Sequence, residues 1–104
     1  VKPERSSRFM ESVVPVKAKH RASLPGITHV DGSGRLQTVE AEENGRFYRI
    51  IKEVEELTGV PVVLNTSFNI NGEPIVLSPD DALTTFFNSG LLHLVMGDVL
   101  VEKR

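Results

Sequence analysis

An amphipathic segment at residues 44–58 constrains the fold more than any other feature of the sequence. Its apolar residues recur at helical spacing and form one stripe: Phe47, Ile50, Ile51, Val54 and Leu57. Asn44 stands where an N-cap belongs, and Gly59 can adopt the left-handed conformation that ends a helix. A helix with one apolar face has to bury that face against another element, so we expect a layered fold.

Several strands are predicted around this helix. The five apolar residues 60–64 follow it without a break, as in a strand buried on both faces. Alternating runs at 27–30 and 35–39 flank a Gly-rich connection at 31–34, which predicts a β-hairpin. A second hairpin is predicted for 92–96 and 99–101 around Gly97-Asp98, and 9–16 and 74–77 read as shorter extended segments.

A second helix is predicted to begin at Ser78, which serves as N-cap, with Pro79 in the first turn and Gly90 at its end. Its buried face is expected to contain Ala82, Leu83, Phe86 and Phe87. We predict one core that includes Phe47, Ile51, Val54, Val62, Leu64, Phe86 and Phe87. The fold class is therefore α/β (α+β), with helices packed on one mixed sheet.

Composition excludes several classes of protein. The chain of 104 residues fits one small domain and has no cysteine, which rules out disulfides and thiolate chemistry. The net charge of −2 lacks the basic surplus of a nucleic-acid binder, and no apolar run is long enough to cross a membrane. We expect a cytoplasmic protein.

The three histidines have no metal-binding spacing, so no metal site is predicted in this chain. Basic residues cluster in the first 21 positions: Lys2, Arg5, Arg8, Lys17, Lys19 and Arg21. This cluster is either a solvated segment or a surface that faces phosphates or an acidic neighbour.

Two places carry candidate binding residues. Asn65, Thr66 and Ser67 follow the predicted strand 60–64, at the end of a sheet where ligands bind in α/β folds. Their amide and hydroxyl groups suit amide-like groups and phosphate oxygens, although an ordinary polar turn would look the same. Arg35 follows the Gly-rich turn, and its planar fork matches phosphate oxygens.

The alternative for Arg35 is a surface arginine paired with Glu40 or Asp31. His29 and Asp31 flank the same turn, where an orienting role competes with simple stabilisation of the turn. We predict that Arg35 and Asn65 lie at one end of the sheet, on the order of 10 Å apart by strand spacing.

Four blocks of the sequence, 29–39, 59–69, 72–76 and 92–103, resemble the C-terminal domain of the carbamoyltransferases. That family includes the nodulation protein U type and enzymes that carbamoylate antibiotics. The resemblance implies a YrdC-like fold that makes carbamoyl-adenylate from carbamoyl phosphate and ATP, with Mg²⁺ accompanying the nucleotide. It also implies a separate N-terminal actin-like domain of the same enzyme, with iron or another metal, that transfers the carbamoyl group to a hydroxyl.

By the same resemblance, Arg35, Asn65 and Ser67 match positions that contact carbamoyl phosphate or the adenylate, and Thr66, Asn69 and His29 are further candidates. The family's front segment, rich in Arg and Phe, is absent here or replaced by the poorly readable residues 1–25, and the chain starts at Val1 without an initiator Met. We therefore expect residues 1–104 to be a domain fragment that follows upstream sequence and is inactive alone. The alternatives are a non-catalytic module for ligand binding or subunit contacts, and a threonylcarbamoyl-AMP synthase-like protein of tRNA modification.

Overall fold

The computed structural model describes residues 7–104, so Lys2 and Arg5 of the basic cluster lie outside the described part. Its elements in chain order are β1 (Ser12–Pro15), α1 (Ala18–Arg21), a 3₁₀ turn (Pro25–Ile27), β2 (Ser33–Leu36), α2 (Gly45–Thr58), α3 (Pro79–Phe87), β3 (His93–Met96) and β4 (Val99–Glu102). This mixture confirms the α+β class. The described strands form two antiparallel pairs, not one sheet, and the chain divides into two compact units, Val1–Leu64 and Asn65–Arg104. In the described residues no helix is long and apolar enough to cross a membrane.

The sheet of the first unit pairs β1 with β2, with Ser12 opposite Leu36 and Pro15 opposite Ser33. The strand expected within 9–16 is thus confirmed at its centre, but the hairpin predicted between 27–30 and 35–39 is wrong. Residues 25–27 form a 3₁₀ turn instead, and the following loop closes on itself through its own hydrogen bonds. The partner of β2 is therefore β1, which lies well upstream in the chain.

Helix α2 confirms the prediction from the apolar stripe. The Asn44 side chain accepts a hydrogen bond from the backbone N–H of Phe47 at 3.3 Å, which caps the helix. Gly59 has a φ of 79°, the left-handed conformation, and its N–H donates to the Glu55 carbonyl at 2.7 Å. The apolar stripe is only half-buried, and it is narrower than predicted. Its half-buried apolar residues are Phe47, Ile51 and Val54, whereas Ile50 and Leu57 are exposed.

The strand predicted for residues 60–64 is wrong. Pro61 has no N–H to offer a neighbouring strand. The nearby backbone groups are used locally: the Val60 N–H donates to the Thr58 hydroxyl at 3.2 Å, and the Val62 N–H donates to the Val60 carbonyl at 2.9 Å. The apolar run therefore follows α2 as irregular chain.

In the second unit, α3 begins where Ser78 predicts. The Ser78 hydroxyl accepts from the Asp81 N–H at 3.1 Å, and Pro79 lies in the first turn. Asn88, rather than Gly90, is the C-cap. The second predicted hairpin is confirmed: β3 pairs with β4 across a two-residue loop whose first residue, Gly97, has a φ of 57°.

Phe86 is the largest fully buried side chain of the described residues, with 0% of its surface exposed. Ala82 and Thr85 are buried on the same helix, and the Lys103 ammonium lies 4.6 Å from the centre of the Phe86 ring. Lys103 also donates to the Ser89 carbonyl at 2.6 Å. The second unit therefore has its core under α3.

The predicted core is correct in part. Phe86 is confirmed, but Phe87 is 60% exposed because its position points about 100° away from Phe86 around the helix. Val62 and Leu64 are also exposed, since the strand that would have buried them does not form. The extended segment 74–77 carries one backbone hydrogen bond, from Val76 N–H to the Phe68 carbonyl at 3.1 Å, but is not a strand.

Candidate functional site

The loop before β2 is closed by hydrogen bonds between its own residues. The Asp31 carboxylate accepts from the Ser33 backbone N–H at 2.9 Å and from the Ser33 hydroxyl at 2.6 Å. The His29 N–H donates to the Ser33 carbonyl at 2.7 Å, and the Gly32 N–H donates to the His29 carbonyl at 2.9 Å. The side chain of Asp31 thus takes the place of a backbone acceptor, as in an Asx-turn.

The His29 side chain belongs to the same network. Its Nδ1 atom lies 3.1 Å from the Ser33 hydroxyl oxygen. The two hydrogen bonds from Ser33, the side-chain one first, lower the pKa of Asp31 below its ordinary value, since they stabilise the charged carboxylate. His29, Ser33 and Asp31 therefore form one hydrogen-bonded chain around an ionised group.

Arg35 lies two residues beyond Ser33 on β2, so the two side chains leave the same face of the strand. The opposite face is packed, because a Cβ added at the intervening Gly34 would lie 3.0 Å from the Ile27 carbonyl oxygen and 3.3 Å from Val16 Cγ2. Arg35 is exposed, and its guanidinium makes no hydrogen bond or ion pair with residues 7–104. The pairing with Glu40 or Asp31 that would have made it a plain surface arginine is not formed.

Arg21 packs against the same loop, a contact that the sequence did not indicate. Its Nε donates to the Val16 carbonyl at 2.9 Å, and its guanidinium lies over Gly32. A Cβ added at Gly32 would stand 2.6 Å from Arg21 Cζ, and Gly32 has a φ of 82°. Glycine is therefore favoured here by the backbone conformation, and an added methyl group would have to displace the end of the Arg21 side chain.

The second group of candidates lies in an irregular segment of the second unit. Asn65, Thr66 and Ser67 are exposed, and the hydroxyls of Thr66 and Ser67 make no hydrogen bond within the described part of the chain. Asn69 differs from them. Its Nδ2 donates to the carbonyls of Ile70 at 3.3 Å and Glu73 at 3.0 Å, so it closes the turn that follows.

Arg35 and Asn65 belong to different compact units, and their meeting in one site stays a prediction. A groove of about 310 Å³ lies in the first unit, between α2 and the segment after β2, where Tyr48, Ile51 and Gln37 are among its lining residues. None of the predicted binding residues lines it, so the polar chemistry rather than this concavity marks the candidate site. Within 7–104, no group of three or more His, Asp or Glu side chains is arranged to hold a metal ion.

The family is decided by comparison of the sequence with known proteins. The family described as "Carbamoyltransferase C-terminus" matches residues 1–103. This chain belongs to that family. It is 50% identical over 96 residues to nodulation protein NolNO of Sinorhizobium fredii, which covers 92% of the chain. It is 47% identical over 100 residues to nodulation protein NolO of Bradyrhizobium diazoefficiens, which covers 96% of the chain.

A third relative is named as an enzyme. The chain is 32% identical over 87 residues, or 84% of its length, to 3'-hydroxymethylcephem-O-carbamoyltransferase of Amycolatopsis lactamdurans. In each of these proteins the match spans a small part of the relative: 14% of NolNO, 18% of NolO and 17% of the carbamoyltransferase. The resemblance first noted in the four sequence blocks is confirmed, and the family match also includes residues 1–25, where the sequence alone showed no resemblance.

Proposed function

We propose that this chain is the C-terminal part of an ATP-dependent O-carbamoyltransferase and helps to form carbamoyl-adenylate. In the complete reaction, carbamoyl phosphate, ATP and water yield carbamoyl-adenylate, pyrophosphate and phosphate. An upstream domain of the same polypeptide, of the actin-like class with its own metal, then passes the carbamoyl group to a hydroxyl. The family membership of the chain and the name of the Amycolatopsis relative support this proposal.

One observation carries the assignment of the site, namely that the guanidinium of Arg35, on the open face of β2, has no partner among residues 7–104. A structural arginine is normally held by acidic or carbonyl partners, whereas none of the described residues occupies the five N–H donors of Arg35. Its fork can hold two phosphate oxygens at once. The exposed Asn65 and the hydroxyls of Thr66 and Ser67, which make no hydrogen bond within residues 7–104, are of the kind that bind amide groups and phosphate oxygens.

The test is performed on the complete polypeptide with Arg35→Ala. Pyrophosphate release that depends on carbamoyl phosphate should fall by about thirtyfold in kcat/KM, the equivalent of about 2 kcal/mol for a lost charged hydrogen-bond partner. Arg35→Lys should recover only part of the loss, because an ammonium keeps the charge without the fork. Arg46→Ala, on the exposed side of α2, is the matched control and should leave the rate unchanged.

The outcome against the proposal is equally specific. If Arg35→Ala lowers the thermal stability and leaves pyrophosphate release intact, Arg35 is structural. If the complete polypeptide binds neither carbamoyl phosphate nor ATP, the chain is instead a non-catalytic module of the same fold.

A further inference from the structure

The hydrogen bonds in the loop before β2 fix the position of a proton. Asp31 carries a carboxylate whose pKa is lowered by Ser33, and an ionised carboxylate can only accept hydrogen bonds. The Ser33 hydroxyl oxygen lies 2.6 Å from Asp31 Oδ1, so the single hydroxyl proton of Ser33 has to point at Asp31. Ser33 is left with only lone pairs to offer to any other partner.

That other partner is His29. Its Nδ1 atom is 3.1 Å from the Ser33 oxygen, and since Ser33 can only accept there, Nδ1 has to carry a proton. In a neutral imidazole the remaining nitrogen, Nε2, then has a lone pair and accepts hydrogen bonds. The backbone of His29 is held as well, by its N–H bond to the Ser33 carbonyl at 2.7 Å. The loop therefore presents an oriented acceptor on an exposed side chain.

The charges around this acceptor select the kind of group that can approach it. The Asp31 carboxylate beside Ser33 repels phosphate oxygens, and the lone pair of His29 Nε2 needs an N–H or O–H donor. Arg35 lies two residues beyond Ser33 on the same face of β2, about 7 Å from Ser33 by strand rise, and attracts phosphate. The face thus has an acceptor end and an anion-binding end.

Carbamoyl phosphate has the complementary layout, with an amino group at one end and a phosphate at the other. We propose that His29 Nε2 accepts a hydrogen bond from the carbamoyl amino group, and that Ser33 and Asp31 are positioning residues that fix the His29 tautomer. This inference rests on the proposed function, because it assumes that carbamoyl phosphate is the ligand. It goes further in giving the ligand an orientation and in assigning roles to Ser33 and Asp31.

The test compares carbamoyl phosphate with acetyl phosphate, in which a methyl group replaces the amino group and the phosphate is kept. The complete polypeptide should bind carbamoyl phosphate about fivefold to tenfold more tightly, the value of one hydrogen bond. In His29→Phe this preference should disappear because binding of carbamoyl phosphate weakens while binding of acetyl phosphate stays the same. His20→Phe, a change of the same kind on α1, should keep the preference.

Ser33 provides an independent arm that leaves the imidazole in place. Ser33→Ala should reduce the preference for carbamoyl phosphate, and Ser33→Thr, which restores a hydroxyl on a residue suited to a strand, should recover it. In protein labelled with ¹⁵N at histidine, the ring signal that disappears in His29→Phe should be that of an Nδ1–H tautomer. In Ser33→Ala the same ring should shift towards the mixture of tautomers of an unconstrained histidine.

The possible failures can be told apart. If both phosphates bind equally well to the unaltered protein, or if His29→Phe weakens both alike, the inference is overturned and the proposed function stands. An Nε2–H tautomer at His29 would overturn the positioning role of Ser33 and Asp31. If neither phosphate binds, the proposed function itself fails, and the inference fails with it.

Discussion

Replacing Phe86 by alanine gives the sharpest test of the second unit's core. Phe86 is completely buried, and loss of a buried phenyl group costs about 3–5 kcal/mol through lost burial and the cavity that remains. The contact of the ring with the Lys103 ammonium at 4.6 Å adds about 0.5–1 kcal/mol. We expect Phe86→Ala to lower the free energy of unfolding by about 4 kcal/mol, measured by urea denaturation followed by circular dichroism.

The matched control is the next residue. Phe87 has the same side chain, lies on the same helix and contacts Phe86 with ring centres 5.3 Å apart, but it is 60% exposed. Either alanine substitution removes this ring contact, so the difference between the two variants measures the burial of Phe86 together with its contact with Lys103. Phe87→Ala should cost about 1 kcal/mol, mainly the edge-to-face contact. Equal losses for the two variants, or a larger loss for Phe87→Ala, would refute the assignment of Phe86 to the core.

Three further predictions concern local interactions. Gly32→Ala should lower the free energy of unfolding by about 1–3 kcal/mol because of the positive φ at this position. The loss should be smaller in an Arg21→Ala background, where the added methyl group has room. Equal losses in both backgrounds would contradict the packing of Arg21 on the loop. Ser78→Ala should cost about 1 kcal/mol through loss of the N-cap, which thermal unfolding would detect, whereas Ser78→Asp should cost little. Since the pKa of Asp31 is lowered from 3.8 in the folded state, its stabilising contribution is complete above that value and is lost as the pH falls through the lower folded pKa. Asp31→Asn should therefore flatten the pH dependence of stability below about pH 4, and identical profiles for the variant and the unaltered chain would disprove the Ser33–Asp31 interaction.

The sequence predicted the elements whose signals are local. Both longer helices were located because Asn44 and Ser78 cap them through a backbone N–H only three residues away, and Gly59 ends α2 through its own φ. The β3–β4 hairpin was found for the same reason, since its loop is two residues long and begins with Gly97. These features depend on neighbours in the chain and not on tertiary contacts.

The errors arose where a distant residue decides the outcome. The alternating pattern of β2 is real, but it does not reveal that its partner is β1 rather than the run just before it. Similarly, apolar spacing could not separate Phe86 from Phe87, because both fit a buried helix face until the packing partner, Lys103, is known. Residues 60–64 look like a buried strand in composition, yet none of the described strands pairs with this segment, which contains Pro61.

The sequence also indicates only some of the residues of the candidate site. His29, Asp31 and Arg35 were recognised as candidates around one turn, but Ser33 was not, although an Asp followed two residues later by Ser is a known signal for a side chain that closes a turn. Arg21 could not have been found from the sequence, because its contact with Gly32 depends on the return of the chain through α1.

The two antiparallel pairs differ in how much chain has to be brought together before they can form. β3 and β4 are joined by two residues, so this hairpin should assemble on the microsecond timescale typical of hairpins. β1 and β2 are joined by residues 16–32, and on the logarithmic scaling of loop entropy the closure of that longer connection costs about 2 kcal/mol more. The face that carries Ser33 and Arg35 therefore depends on the later of the two pairings. During synthesis or refolding, the loop that contains His29, with its proton fixed on Nδ1, should form only after the β3–β4 hairpin has formed.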